Sequence, residues 1–364
     1  MKPVNLKALA QQLNLSIATV SRALNDSYDI SQATKARVRQ LAAQLHYVPN
    51  PHARSLRRNR SNTIGVVVPE ITNSFFSLVL NGIEDVARQQ HYHVLIYLTH
   101  DDGQREAAAV ELLASGRVDG VLLSAAGAAT GPASVRQLVE RGIPLVLFDR
   151  VYAGLDVACI TTDDYASAHA ATRHLLQAGC RTVAHCTLAG QLSVCAERQR
   201  GYRAALLEAG LGPAQAVELA TSGPGPESQA AIEAMLRRRP DVDGIFAAVE
   251  SLALSSYQAC QRLGRVIPTD IKLISFSNSP VLPLLTPALS TVTQPAFRMG
   301  QAAAERVFRA IATGRPARAD QSLELRSELV DRASTRPGPP PGRVNDYVNK
   351  PLTNSVNSLV MARP

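Results

Sequence analysis

Tryptophan is absent from the 364 residues, and aromatic side chains make up only 4% of them, which leaves little material for a site built on ring stacking. Cysteine is scarce too. The five present, Cys159, Cys180, Cys186, Cys195 and Cys260, are an odd set without a Cys-x-x-Cys pair, so neither a disulfide framework nor a zinc ribbon is expected; they read as reduced packing residues. No apolar run approaches the roughly 18 residues that a membrane span needs. The longest candidates, such as Ile143–Phe148, have the length of a buried strand. The start, Met1-Lys2-Pro3-Val4-Asn5, leads into an amphipathic pattern with no apolar stretch or small-residue cleavage site, so a cytoplasmic protein is expected. Motifs of catalysis are missing as well. There is no Gly-x-Ser-x-Gly elbow, P-loop or Gly-x-Gly-x-x-Gly, and the pair His169 and His174 lies off the i, i+4 spacing of metal ligands on one helix face. We therefore expect no enzyme, no catalytic residue, no metal and no cofactor.

What is present is ordinary globular composition, 46% hydrophobic and 19% charged, at a length that suits two or three domains. The net charge of +8 is unevenly placed. The first sixty residues hold Lys2, Lys7, Arg22, Lys35, Arg37, Arg39, Arg54, Arg57, Arg58 and Arg60 against only Asp26 and Asp29, and the remainder is neutral in sum. A basic module on an otherwise balanced chain is the electrostatic footprint of a partner that is a polyanion.

The same module has helical periodicity. Leu6, Leu9, Ala10 and Leu13 share one face, Asn14-Leu15-Ser16 forms a turn with Ser16 as N-cap, and a second helix begins at Ile17. In that helix Val20 and Leu24 face inward while Ala18 and Arg22 point out. A third segment starts at the N-cap Ser31, carries Val38, Leu41, Ala42 and Leu45, and ends at Tyr47-Val48-Pro49. Two short helices joined by a tight turn and braced by a third make a helix-turn-helix, whose second helix enters the major groove of DNA.

These residues, with Leu6-Lys7-Ala8-Leu9-Ala10, Ser16-Ile17-Ala18-Thr19-Val20-Ser21-Arg22-Ala23-Leu24-Asn25 and Tyr47-Val48-Pro49-Asn50-Pro51, give a chain that resembles the lactose-repressor (LacI) family of bacterial transcription regulators, from about Lys2 to about Asp331. The resemblance implies a ligand-controlled repressor that binds a near-palindromic operator as a homodimer. It also implies a hinge over Asn50, Arg54, Ser55 and Leu56 that becomes helical on DNA and wedges Leu56 between base pairs from the minor groove. An apolar wedge flanked by Arg54, Arg57 and Arg58 suits that task. For base reading, Arg22 is the candidate, because a guanidinium meets O6 and N7 of guanine with two bonds. Ile17 and Ala18 suit thymine methyls and close approach; Thr19 and Ser21 suit phosphates; Ser16 is a DNA contact or only an N-cap, and Asn25 completes the surface.

From Thr63 onward short apolar runs alternate with amphipathic helices. Ile64–Val68, Val94–Leu98, Val121–Leu123 and Leu145–Phe148 read as strands separated by helices near 75–90, 104–115 and 133–141. Cys159–Thr161, Val183–Cys186, Ile245–Ala248 and Leu273–Phe276 follow, with helices near 165–178, 197–209, 227–238 and 252–263. This βαβ alternation argues an α/β core of two doubly wound subdomains, like periplasmic binding proteins in the resemblance. Val118-Asp119-Gly120-Val121-Leu122 recurs as Val242-Asp243-Gly244-Ile245-Phe246, an internal echo. The organisation expected is a helix-turn-helix over 1–47, a hinge over 48–60, a core over 61–331 and a disordered tail over 332–364. Within the core, 61–160 with 290–318 form one subdomain and 161–289 with 319–331 the other. The tail has Pro337, Pro339, Pro340 and Pro341 but only Leu352 and Leu359, too few leucines for a tetramerising helix.

Ligands of open α/β sheets bind at the carboxyl ends of the strands. The resemblance places a small effector in the core cleft on Asn73, Phe75, Ser124, Asp149, Arg198, Glu250 and Ser277. Arg198 stands out, because with Arg200-Gly201-Tyr202 it forms the family's Arg-x-x-Gly-aromatic pattern. Asp163 or Asp164 reads as a helix N-cap. Many relatives have Gly-Tyr-Asp-Asn where this chain has Ser275-Phe276-Ser277-Asn278, and Gly223-Pro224-Gly225-Pro226 offers no ring for a purine. A sugar or sugar derivative fits better. The competing reading is a sugar-binding protein without a DNA function, which the basic helical module disfavours. Effector binding is expected to reorient the subdomains and so to order or release the hinge, and one sequence leaves the sign of that effect open.

Overall fold

The computed structural model describes residues 5–45, 47, 60–127, 132–190, 192–223 and 225–336. The expected hinge residues Asn50, Arg54, Ser55 and Leu56 lie outside them. Three helices open the chain: α1 (Leu6–Leu13), α2 (Ile17–Leu24) and α3 (Gln32–Gln44). Their starts are set by side-chain caps. Asn5, Ser16 and Ser31 accept from the backbone N–H of Ala8, Thr19 and Thr34 at 2.9, 3.0 and 3.3 Å. Asn14, left-handed at φ 53, closes α1 and turns the chain into α2. Leu9, Val20, Ala23 and Val38 form the buried centre, ringed by Leu6, Leu13, Leu24, Leu41, Leu45 and Tyr47. Leu24, expected inward, packs at the rim, and Ala23 takes the central place.

The described residues fold as two units. One comprises those up to Ile71, the three helices included, with Leu78–Ile160 and Phe297–Leu323; the other comprises Thr72–Ser77, Thr161–Ala296 and those from Glu324 to Arg336. The first carries a sheet of β1 (Thr63–Val68), β2 (His93–Leu98), β3 (Gly120–Leu123), β4 (Leu145–Phe148), β5 (Ala158–Thr162) and β11 (Leu323–Leu325), ordered β11-β5-β4-β3-β1-β2. Strands β1 to β5 run parallel. The second sheet has β6 (Val183–Leu188), β7 (Val217–Thr221), β8 (Gly244–Ala247), β9 (Lys272–Phe276), β10 (Ser290–Thr293) and β12 (Glu328–Val330), ordered β12-β10-β9-β8-β6-β7. Here β6 to β10 are parallel and β12 is antiparallel to β10. The helices are α4 (Ser74–Gln89), α5 (Gly103–Leu113), α6 (Ala133–Glu140), α7 (Asp164–Gln177), α8 (Ser193–Glu208), α9 (Pro226–Arg238), α10 (Glu250–Leu263) and α11 (Ala296–Thr313). Among the described residues no helix is long and apolar enough to cross a membrane.

The two sheets share one strand order, and the five-residue echo falls on the same strand of each, β3 and β8. Its aspartate does the same work twice. Asp119 accepts from the backbone N–H of Ser61 and Asn62 at 2.7 and 3.0 Å, and Asp243 from those of Arg181 and Thr182 at 2.8 and 2.9 Å. Each carboxylate thus pins the loop that leads into the neighbouring central strand, β1 or β6. The glycine that follows leaves no room for a methyl group: a Cβ on Gly120 would lie 2.7 Å from Val307, and one on Gly244 would lie 2.9 Å from Cys180.

Several boundaries differ from the sequence reading. The expectation gave 290–318 to the first subdomain, but β10 pairs with β9 and β12, so the crossing falls between Ala296 and Phe297. The return crossing falls after Leu323, where the sequence reading had put it after 318. Residues 332–336, assigned to the tail, belong to the second unit. Ser334 is fully buried, accepting from Ser290 N at 2.8 Å and donating to Leu273 O at 2.6 Å. Strands β7, β10, β11 and β12 and helix α11 were not anticipated.

Candidate functional site

On α2 the outward face is the one expected. Ser16, Ile17, Ala18, Arg22 and Asn25 are exposed, Thr19 and Ser21 half-buried, and Val20 and Ala23 buried. Several of these polar groups have local partners. The Ser16 and Thr19 hydroxyls lie 2.8 Å apart, Asn25 donates to Ser21 O at 2.7 Å, and Arg22 Nη1 donates to Asp29 Oδ2 at 2.5 Å. Behind this face the buried Lys35 reaches the carbonyl and carboxylate of Asp26 at 3.3 and 3.1 Å, and Arg39 meets the same carboxylate at 2.8 Å. Lys35, with Arg39 after it, holds the Asp26 carboxyl below the usual carboxylate range. These two cations therefore brace the helices.

At the carboxyl ends of the second sheet a buried polar relay is built from separate strands and helices. Arg198, on α8, is 3% exposed; its Nε and Nη2 lie 2.7 and 2.6 Å from Asp164 Oδ1 at the start of α7. Its Nη1 donates to Ala248 O, just after β8, at 2.6 Å, and its guanidinium lies 3.7 Å from the centre of the Phe276 ring at the end of β9. The other oxygen of Asp164 accepts from Thr162 at 3.2 Å, and Thr162 in turn accepts from the Gln294 amide at 3.0 Å. Burial pushes the Asp164 carboxyl above its ordinary value, against the pull of Arg198. Asp163 occupies the N-cap position without bonding a first-turn N–H; it accepts instead from the Ser167 hydroxyl and Ser327 N at 2.9 and 2.8 Å.

Glu250 opens α10, and the Ser277 hydroxyl donates to it while accepting from Ser279 N at 3.0 Å. Asn73 turns its side-chain oxygen to Phe75 N at 2.9 Å, and Phe75 is buried edge-on to Phe76. In the first unit Asp149, after β4, is buried in a left-handed backbone at φ 57, and Arg150 pairs with Asp101. Ser124 follows β3. The segment after it is tied down by the fully buried Glu106, which accepts from Ala126 N at 2.7 Å and from the Tyr152 hydroxyl at 2.8 Å.

The sequence reading missed four features here: Asp164 as the partner of Arg198, and the hydroxyls of Thr99, Thr187 and Thr221. Those three, with Ser124, are buried hydroxyls without a hydrogen-bond partner among the described residues, and all four sit at strand carboxyl ends. Unpaired buried hydroxyls cost free energy; two of these lie in the first unit, Thr99 and Ser124, and two in the second, Thr187 and Thr221, while Tyr92, Ser134, His185 and Ser327 also hold buried polar atoms without a partner among the described residues. Among the described residues no group of three or more His, Cys, Asp or Glu is placed to hold a metal ion.

Comparison with known proteins gives two family matches: residues 5–50 to "Bacterial regulatory proteins, lacI family", and residues 61–329 to "Periplasmic binding proteins and sugar binding domain of LacI family". The chain is 28% identical to the ribose operon repressor of Halalkalibacterium halodurans over 92% of its own length and 97% of that protein's. It is 30% identical to the transcriptional regulator DegA of Bacillus subtilis, over 90% and 97%. Among solved structures, a regulator from Enterococcus faecium with bound ribose is 27% identical, with a TM-score of 0.68, over 76% of this chain and 100% of that one.

Proposed function

Since the chain belongs to the LacI family of bacterial regulatory proteins, we propose that it is a cytoplasmic repressor whose operator affinity is set by a neutral sugar bound at the strand carboxyl ends of its core. The reading takes residues 1–47 as the DNA-binding domain, 48–60 as the hinge and the remainder, up to about Arg336, as the effector core. It works as a homodimer on a near-palindromic site, because a single short recognition helix reads too few base pairs for specificity. Ile17, Ala18 and Arg22 face the bases; Ser16, Thr19, Ser21, Asn25, Asn50, Arg54 and Ser55 serve the backbone and positioning; Leu56 opens the central step.

The observations that support the effector reading are buried hydroxyls at strand carboxyl ends without a partner among the described residues, Thr99 and Ser124 in the first unit and Thr187 and Thr221 in the second. Such groups match a ligand that is itself rich in donors and acceptors. The ionic groups support a neutral one: Arg198 is already neutralised by Asp164, Glu250 takes the Ser277 hydroxyl, and Asp149 adds a further carboxylate. Asn73 and Phe75 add an amide and an apolar edge. Ribose is the first candidate, because a similar regulator holds it and a similar repressor is named for it. The test is calorimetric titration of the full chain with ribose and a panel of pentoses, hexoses and disaccharides. One of them should bind, with Glu250→Gln and Ser124→Ala weakening it about tenfold or more, since a site left with unpaired buried groups loses that much. Binding of none, or binding indifferent to both substitutions, overturns the reading.

A further inference from the structure

Asp29 lies in the segment joining α2 to α3 and is one of only two acids in the first sixty residues. The other, Asp26, is taken up by Lys35 and Arg39, which brace the helices. The cation that Asp29 meets is Arg22, on the exposed face of α2. A carboxylate on a surface meant for a polyanion works against binding every phosphate near it. Its contact geometry offers a compensating use. A guanidinium is planar and has two edges, each able to serve a pair of acceptors. The bond to Asp29 Oδ2 uses Nη1 at 2.5 Å, so Nε and Nη2 form the edge directed away from it.

We propose that Asp29 is a positioning residue for base recognition: it holds Arg22 by Nη1 and leaves the Nε–Nη2 edge as a preformed two-donor fork for the O6 and N7 acceptors of a guanine. The proposal rests on Arg22 as the base-reading arginine. Holding the long side chain in place before DNA arrives removes part of the ordering cost of recognition. The Ser27 hydroxyl, and after it Arg22, keep the Asp29 carboxyl below its usual range, so the latch stays ionised around neutral pH. The outcome for DNA is two effects of opposite sign. Removing the carboxylate strengthens binding to any duplex and weakens the preference for the right one.

The experiment uses full-length protein and a preferred duplex selected by the wild type from a random pool. Fluorescence anisotropy then compares that duplex with one in which each half-site guanine is replaced. Asp29→Ala should lower the discrimination about two- to fivefold, the range of an exposed ion pair, while affinity for the replaced duplex rises. Asp29→Asn, which keeps an acceptor without the charge, should fall between. In an Arg22→Ala background the Asp29→Ala change should leave discrimination unaltered. Far-UV circular dichroism checks that the variants fold. Discrimination unchanged in Asp29→Ala, or an equal loss on both duplexes, overturns the proposal. A wild type that selects no sequence overturns instead the role of Arg22 on which it stands.

Discussion

Removing Asp164 should cost the second unit more than removing its partner Arg198, although the two share one ion pair. The pair is buried on both sides, with side chains 4% and 6% exposed. In Asp164→Ala the guanidinium keeps Ala248 O and the Phe276 face but loses its counter-charge, and arginine cannot shed its proton to escape. Breaking a buried pair in this way costs about 3–5 kcal/mol. In Arg198→Ala the carboxyl has an escape, because burial has already raised its pKa and it can take up a proton. That limits the loss to about 2–3 kcal/mol, most of it packing over Phe276. The sign with pH follows. A carboxyl whose folded pKa is raised contributes stability present below its unfolded pKa and lost as pH rises, so Arg198→Ala should be less damaging near about pH 5 than about pH 7. Asp164→Ala should show no such relief. Urea unfolding of the full chain, followed by circular dichroism at both pH values, measures both, and the double variant should fall short of the sum by about 1–3 kcal/mol. A loss below about 1 kcal/mol in Asp164→Ala, or additivity in the double variant, would refute the reasoning.

Substitutions at two further positions test the frame around the sites. Glu106→Gln keeps an acceptor for Ala126 N, and Tyr152 can turn its proton to Gly127 O, 3.1 Å away, so stability at neutral pH should stay within about 1 kcal/mol of wild type or rise. Burial raises the Glu106 carboxyl, so its stabilising contribution is present below its unfolded pKa and lost as pH rises through the folded one; the advantage of glutamine should grow with pH in parallel urea titrations. Glu106→Ala, which orphans the Ala126 N–H, should cost about 1–3 kcal/mol. Gly201→Ala would put a Cβ 2.3 Å from Tyr165 O where α7 and α8 pack, and thermal unfolding should show a loss of about 3 kcal/mol.

What the sequence made legible were the features whose signal is local. Ser16 and Ser31 cap the helices where their side chains suggested, and runs such as Leu145–Phe148 are strands because both faces of a parallel sheet are apolar. Strand β10, Ser-Thr-Val-Thr, has no such run, and its burial rests on hydrogen bonds to Ser334, Thr335 and Arg332 contributed from the far end of the chain. The sites divide in the same way. Arg198 stood out through its neighbours in sequence, but its partner lies 34 residues earlier and only folding joins them. Thr99, Thr187 and Thr221 look like any strand-end threonine until their hydroxyls are found without partners among the described residues. Asp29 read as one acid in a basic module, and only the three-helix packing sets it against Arg22.

The central claim is that this chain reads a specific DNA sequence under the control of a sugar. Its most direct test is selection of duplexes from a random pool by the full-length protein, with and without ribose, repeated for Leu56→Ala. The account predicts enrichment of a palindrome, an enrichment altered by the sugar and reduced in Leu56→Ala because the wedge is lost. Binding that depends only on salt, indifferent to sequence and to sugar, would contradict it.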